Sequence, residues 1–99
     1  MIVTGIEENL PLTTELYQNY PNPFNPVTVI KYLLAEEADV TLAVYDIAGR
    51  EIIKLVDKKK ARGYHEAKFK ADGLTSGMYF YRLSVNDKVV ASRKMMILK

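Results

Sequence analysis

Apolar and polar residues alternate along most of this chain. "VTVIKYLL" at Val27–Leu34 places Ile30, Tyr32 and Leu34 on one face, the period-two signature of a half-buried strand. "DVTLAVYD" does the same with Val40, Leu42 and Val44 against Thr41, Ala43 and Tyr45. The polar "EEAD" between these two runs has the length of a hairpin connection. Ile47–Arg50 reads as a tight turn, with Gly49 supplying a positive φ angle. In the following "EIIKLVD", Ile52 and Leu55 differ in parity, which predicts a bulge. "KKKARG" turns the chain, and "YHEAKFK" then sets His65, Ala67 and Phe69 on one face. "ADGLTSG" is a loop with Leu74 as its anchor into the core. "MYFYRLSVN" is aromatic and β-branched on both faces, as in a central, well-covered strand. Asn86-Asp87 fits a hairpin turn, and "KVVASRKMMILK" forms the last strand, running to the final residue.

Ahead of these strands, Met1–Thr14 has no sustained period and reads as a linker or lead-in, leaving residues 15–99 as the folded unit. A short extended piece follows at Glu15–Tyr20. "YPNPFNP" at Tyr20–Pro26 then places three prolines in seven residues. Each proline fixes its own φ, donates no hydrogen bond and drives the preceding residue toward extended geometry. Asn22 and Asn25 have short amides that build turns. The stretch is thus a pre-ordered bend, with Phe24 plugging one end of the core. About seven short strands with turn signals every 8–12 residues or so predict an all-β antiparallel sandwich.

Composition narrows the function. The 99 residues fit one small domain, 48% hydrophobic and 26% charged, with a net charge of +2. That charge is too small to point to a nucleic-acid partner, and Lys58-Lys59-Lys60 reads as a solvated turn. With no cysteine there is neither disulfide nor thiolate metal site. No apolar run approaches a membrane span, and the first residues lack the basic start and apolar core of a signal peptide. Met1 is consistent with a start placed on a fragment of something longer. The single histidine, His65, has no second histidine or cysteine to complete a metal site. Asp46, Asp57, Asp72 and Asp87 fall at strand ends and turns, without calcium-loop spacing. Ser76 lacks a nucleophile-elbow pattern, and no glycine loop could cradle a phosphate. The chain therefore reads as non-catalytic and cofactor-free. Of its seven tyrosines, Tyr32, Tyr79 and Tyr81 are expected in the core or on a sheet face with hydroxyls at the rim. An exposed tyrosine row would instead suit sugar or protein binding.

Five segments, "YPNPFNPVTVIKYLL", "VTLAVYDIAGREIIKLVD", "ARGYHEAKF", "LTSGMYFYRL" and "SRKMMILK", occur in order. Together they resemble the type A C-terminal sorting domain of the type IX (Por) secretion system, over roughly Leu16 to Lys99. The first family motif falls on Tyr20, Pro21, Asn22, Pro23, Phe24, Asn25 and Pro26. The "VYD…GR" turn falls on Val44, Tyr45, Asp46, Gly49 and Arg50. The "L-x-SG-x-Y" motif falls on Leu74, Ser76, Gly77 and Tyr79, and the basic-apolar tail on Lys94 to Lys99. Two departures are visible: Leu34-Ala35 where the family often has Leu-Pro, and Phe69 where it often has tryptophan. Both are conservative for a sandwich.

The resemblance implies an immunoglobulin-like β-sandwich, similar also to the Ig-like domain of the flagellar hook-capping protein. It implies a non-catalytic signal on the C-terminal side of a larger secreted cargo, in Bacteroidota and related bacteria. The outer-membrane translocon would recognise the signal. A sortase-like protease would then remove it, leaving the cargo released or attached to surface lipopolysaccharide. The family's cargo carries an N-terminal signal peptide, and its absence here fits an excised C-terminal domain. "YPNPFNP" would mark the start of the folded module, with cleavage upstream in Met1–Glu15. Most motif residues also have a purely structural reading, since turns require Gly49 and Gly77 and a small core requires Tyr45, Leu74 and Tyr79. The recognition candidates are Arg93, Lys94, Met95, Met96, Ile97, Leu98 and Lys99, because a terminal strand has a free edge and this one ends in basic groups. The same edge could pair two copies into a homodimer. The competing functions are an Ig-like spacer and a carbohydrate-binding accessory module of a secreted enzyme.

Overall fold

The alternating runs become strands because each then buries one face and leaves the other wet. In the computed structural model, which describes residues 12–99, the elements are β1 (Glu15–Leu16), β2 (Val27–Leu34), β3 (Ala38–Tyr45), β4 (Glu51–Lys60), β5 (Gly63–Lys70), β6 (Gly77–Val85) and β7 (Lys88–Ile97). They form two antiparallel sheets, ordered β1-β2-β5 and β4-β3-β6-β7. This is an immunoglobulin-like β-sandwich of seven strands. Most of the lead-in, residues 1–11, lies outside the described residues.

The core follows strand parity. Thr28, Ile30, Tyr32 and Leu34 of β2 face Val40, Leu42 and Val44 of β3, Tyr79, Tyr81 and Leu83 of β6, and Met95 and Ile97 of β7, all buried. Burying each large apolar side chain contributes about 1.5–3 kcal/mol, so the sandwich depends on this set more than on its exposed ion pairs. In β4 the parity conflict is resolved by register shifts opposite Leu42/Ala43 and Val44/Tyr45. These let Ile52, Leu55 and Val56 all pack against the core. Asn86 and Asp87 take φ of 51° and 66°, the two-residue hairpin geometry whose twist matches the flanking strands.

Several expectations change. "EEAD" is not a hairpin: β2 and β3 lie in different sheets, because each needs a core on its own inner face and the connection therefore crosses between layers. Lys58, Lys59 and Lys60 continue β4 rather than forming the turn. They pair with Val40, Asp39 and Ala38, and the turn shrinks to Ala61-Arg62. Strand β6 is central, but Met78 and Arg82 are exposed, so only one of its faces is fully covered. Strand β7 ends at Ile97, two residues before the end of the chain.

The tyrosine hydroxyls also depart from expectation. Tyr81 is fully buried, and its hydroxyl donates to Tyr17 O (2.6 Å) while accepting from Asn19 N (2.7 Å). The Tyr32 hydroxyl is not at a rim but buried without a partner, its ring stacked on His65 at 5.2 Å. Burial pushes the Tyr81 hydroxyl from 10.0 up to about 12, against the opposing Asn19 bond and the Arg93 charge, and it also raises Tyr32.

Two substitutions separate these hydroxyls. Tyr81→Phe leaves the buried Asn19 amide unpaired and is expected to cost about 1–3 kcal/mol in urea unfolding. Tyr32→Phe removes an unsatisfied group and should be neutral or stabilising. Because the Tyr81 hydroxyl holds its proton more tightly when folded, its contribution is complete below pH 10 and is lost as pH rises through about 12. Unfolding free energies measured across that window should fall less steeply in Tyr81→Phe than in the unsubstituted protein.

Candidate functional site

The proline stretch is a strap across the open side of the sandwich. It starts from the β1 side, where Tyr17 N donates to Lys31 O and Tyr20 exchanges two backbone bonds with Val29, each 3.0 Å. Pro21 O then accepts from Thr28 Oγ1 (2.8 Å) and Asn19 Nδ2 (3.1 Å). Further on, the strap reaches the other sheet. Asn22 Oδ1 accepts from Met96 N (2.9 Å), Phe24 N donates to Met96 O (3.0 Å), and Leu98 N donates to Phe24 O (3.1 Å). The Phe24 ring is buried edge-on to Phe69, with centroids 5.9 Å apart, so it plugs the core as expected. At the far end Pro26 O accepts from Ala71 N at 2.9 Å. Tyr20, Pro21, Asn22, Pro23, Asn25 and Pro26 are exposed. The strap is not the start of the folded unit, because β1 already pairs with β2 ahead of it. That pairing extends back to Thr14, whose Oγ1 accepts from Ala35 N.

The "VYD…GR" motif builds the β3–β4 turn. Asp46 Oδ1 accepts from Ala48 N and Arg50 N, both 2.9 Å, and its Oδ2 pairs with Arg50 Nε at 2.7 Å. Gly49, at φ 86°, allows its N–H to return to Asp46 O. The Arg50 backbone bond, with help from its guanidinium, holds the Asp46 carboxyl below its ordinary value. Tyr45, half-buried on the outer sheet face, lies under the Arg82 guanidinium at 4.6 Å. The "L-x-SG-x-Y" motif spans the β5–β6 loop. Leu74 packs against the core as expected, and Gly77 opens β6. The Tyr79 hydroxyl donates back to Thr75 O at 2.9 Å. A tyrosine bonding the backbone just upstream, at the corner leading into this strand, is the tyrosine corner of immunoglobulin-like sandwiches.

The tail alternates. Met95 and Ile97 are buried in the core, Met96 is half-buried, and Arg93, Lys94, Leu98 and Lys99 are exposed. Met95 and Ile97 therefore present no side chain to a partner. The expected free edge is also partly closed, because Asn22 and Phe24 occupy the backbone groups of Met96 and Leu98. Gln18 Nε2 takes Lys94 O (2.6 Å), and Arg93 Nε donates to Leu16 O (2.7 Å). Lys99 N donates to Ser76 Oγ at 2.9 Å.

These segments, distant in sequence, meet at one pole. Register places Tyr45 beside Phe80 and Gly77 beside Ile97, while Val27, leaving the strap, pairs with Lys70. The β3–β4 turn and the β5–β6 loop enclose a depression of about 420 Å³, lined by Asp46, Ile47, Arg50, Ser76, Met78 and Tyr79 among others. Ile47 is 76% exposed on its rim, a large apolar side chain that the core does not use. The opposite pole carries the β2–β3 crossover, the Ala61-Arg62 turn and the Asn86-Asp87 hairpin. The start of β1 lies at that pole too, since Glu15 pairs with Leu33. Among the described residues no three His, Cys, Asp or Glu side chains come together as a metal site.

The model of the secretion system C-terminal sorting domain family matches residues 18–98. This chain belongs to that family. It is thus a sorting signal for type IX secretion, belonging to a protein exported to the cell surface or beyond. Membership implies an attached cargo and contact with the secretion machinery. No curated protein and no solved structure matches the chain.

Asn19 and Thr28, the two buried polar residues among those described, bond each other at 3.0 Å and hold the strap at Pro21, and no motif in the sequence marks them. Thr28 shares the inward parity of Ile30 and was discoverable on that ground. Asn19 precedes the regular alternation and gave no such signal.

The Asp46 carboxyl, with its lowered pKa, supports the fold above pH 3.8, and this support is lost as pH falls through its lower folded value. Asp46→Asn should abolish that component. The difference in unfolding free energy between the two proteins is expected to shrink as pH drops below 4, which acid titration of urea unfolding will read.

Proposed function

We propose that this sorting domain presents the motif-bearing pole to the outer-membrane translocon, with its cargo joined through the lead-in at the other pole. The observation that carries this reading is the convergence of the strap, the "VYD…GR" turn, the "L-x-SG-x-Y" loop and the tail on one end. Strands of eight to ten residues at roughly 3.3 Å each keep that end well away from the lead-in. A folded cargo can then follow without covering the pole. The readable surface comprises Ile47, Arg50, Lys94, Met96, Leu98 and Lys99. Arg93 belongs more to the seam with Leu16, and Met95 and Ile97 belong to the core. The domain works by recognition, not catalysis. A sortase-like protease cuts upstream, within Met1–Glu15, ahead of most of the paired backbone.

The test is export of a fluorescent protein carrying a periplasmic signal peptide fused ahead of residues 7–99, in a bacterium with a type IX system. Ile47→Asp with Leu98→Asp alters only exposed pole residues and should lower export about tenfold or more, the scale of losing one good contact. Val89→Asp, near the other pole, should export normally. Circular dichroism on each purified domain checks folding. Equal export of the two folded variants would overturn the placement of recognition at this pole. Mass spectrometry of the exported product locates the cut.

A further inference from the structure

The strap is fastened at both ends and lightly held between them. At its start Pro21 O is fixed by Asn19 and Thr28, and Tyr20 is paired with Val29. At its end Pro26 O is fixed by Ala71 N. Between these points Asn22–Asn25 is bonded to β7 only through the Asn22 side chain and the Phe24 backbone, and only Phe24 is buried. The interaction resembles strand addition, in which an extended segment lies along an exposed sheet edge, main-chain bonds hold it and one side chain fills a pocket. The Phe24↔Ile97 bridge is parallel. Here the added segment comes from the same chain.

We propose that Asn22–Asn25 is a removable guard over the β7 edge, and that its seat is a docking groove for an extended segment of a partner. Resting on the reading of the tail as the signal, this assigns the chemistry of what binds there. The incoming backbone must take the Met96 N–H and C=O and the Leu98 N–H, and one large apolar or aromatic side chain must occupy the place of Phe24 beside Phe69. The guard explains how the domain keeps this part of its terminal edge from pairing indiscriminately before it meets the machinery. Asn22–Asn25 buries one ring, Phe24, and leaves its other three side chains exposed. It can therefore open locally while the bonds of Leu16 to Arg93, Tyr17 and Asn19 to Tyr81 and Gln18 to Lys94 keep the sheets together. The fixed ends confine the opening to four residues.

Hydrogen exchange on the isolated domain tests this without reference to export. The Met96 and Leu98 amides should exchange through an opening less dependent on urea than that of the β3–β6 ladder. Asn22→Ala should speed the Met96 amide about tenfold, the effect of one lost hydrogen bond, and leave β3–β6 unchanged. A fluorescein-labelled peptide of the sequence YPNPFNPV should bind folded Phe24→Ala protein and bind unsubstituted protein at least about tenfold more weakly. Exchange of Met96 and Leu98 only with global unfolding would overturn the proposal. So would failure of the peptide to bind a Phe24→Ala domain whose circular dichroism shows it folded.

Discussion

The seam where the first paired segment of the chain meets its last strand holds this sandwich closed. Two packed sheets ordinarily share only side chains across their interface. Here hydrogen bonds cross it directly: Leu16 O to Arg93, Tyr17 O and Asn19 N to the Tyr81 hydroxyl, Lys94 O to Gln18, and Phe24 to Met96 and Leu98. The three-stranded sheet needs this closure, because β1 is only two residues long and contributes little ladder of its own. Without the seam, Tyr81 and Phe24 would open to water and the buried Asn19 backbone amide would lose its partner.

The seam also explains why the motifs lie where they do. A strap that must reach β7 has to cross at the end where β7 finishes, which is also where β3 ends and β6 begins. The turn at Asp46, the corner at Tyr79 and the strap are therefore neighbours by topology. Each has a structural duty: Asp46 closes a turn, Tyr79 pins a loop, and Phe24 fills the core. The residues at this pole without such a duty are Ile47, Leu98 and the outward side of Lys94. Contact with a partner costs the fold nothing there, which is why the proposed readable surface draws on these positions.

Most of the sheet structure was legible because parity carries it. Ile30, Leu42, Phe69 and Leu83 are buried where period two puts them, and the Ile52/Leu55 conflict marked a real break in register. Sheet membership was not legible at Glu36-Glu37. A short polar connection suits a hairpin and a crossing between layers equally well, and only the partners chosen by β5 and β6 decide between them. Lys58–Lys60 misled for a related reason. An edge strand can carry three lysines, since its outer side meets water and charge there discourages further pairing. The strap was recognisable as stiff, but its destination was not. Nothing local in "YPNPFNP" indicates that Asn22 and Phe24 bond residues more than seventy positions away.

The same parity limits how the tail can act as a signal. Residues 93–99 are at once the end of a strand and the end of the core, with Met95 and Ile97 fully enclosed. Deleting them removes two large buried side chains, at about 2–5 kcal/mol each, a large fraction of what a domain of this size has. Loss of export after such a deletion would therefore follow from unfolding as readily as from a missing contact. Lys94, Met96 and Leu98, together with the backbone edge they carry, and Lys99 can be read while the domain is folded. Met96 and Leu98 already lie beneath the strap, and Gln18 takes the Lys94 carbonyl. A partner that reads the folded tail must therefore either read side chains alone or displace what covers the edge.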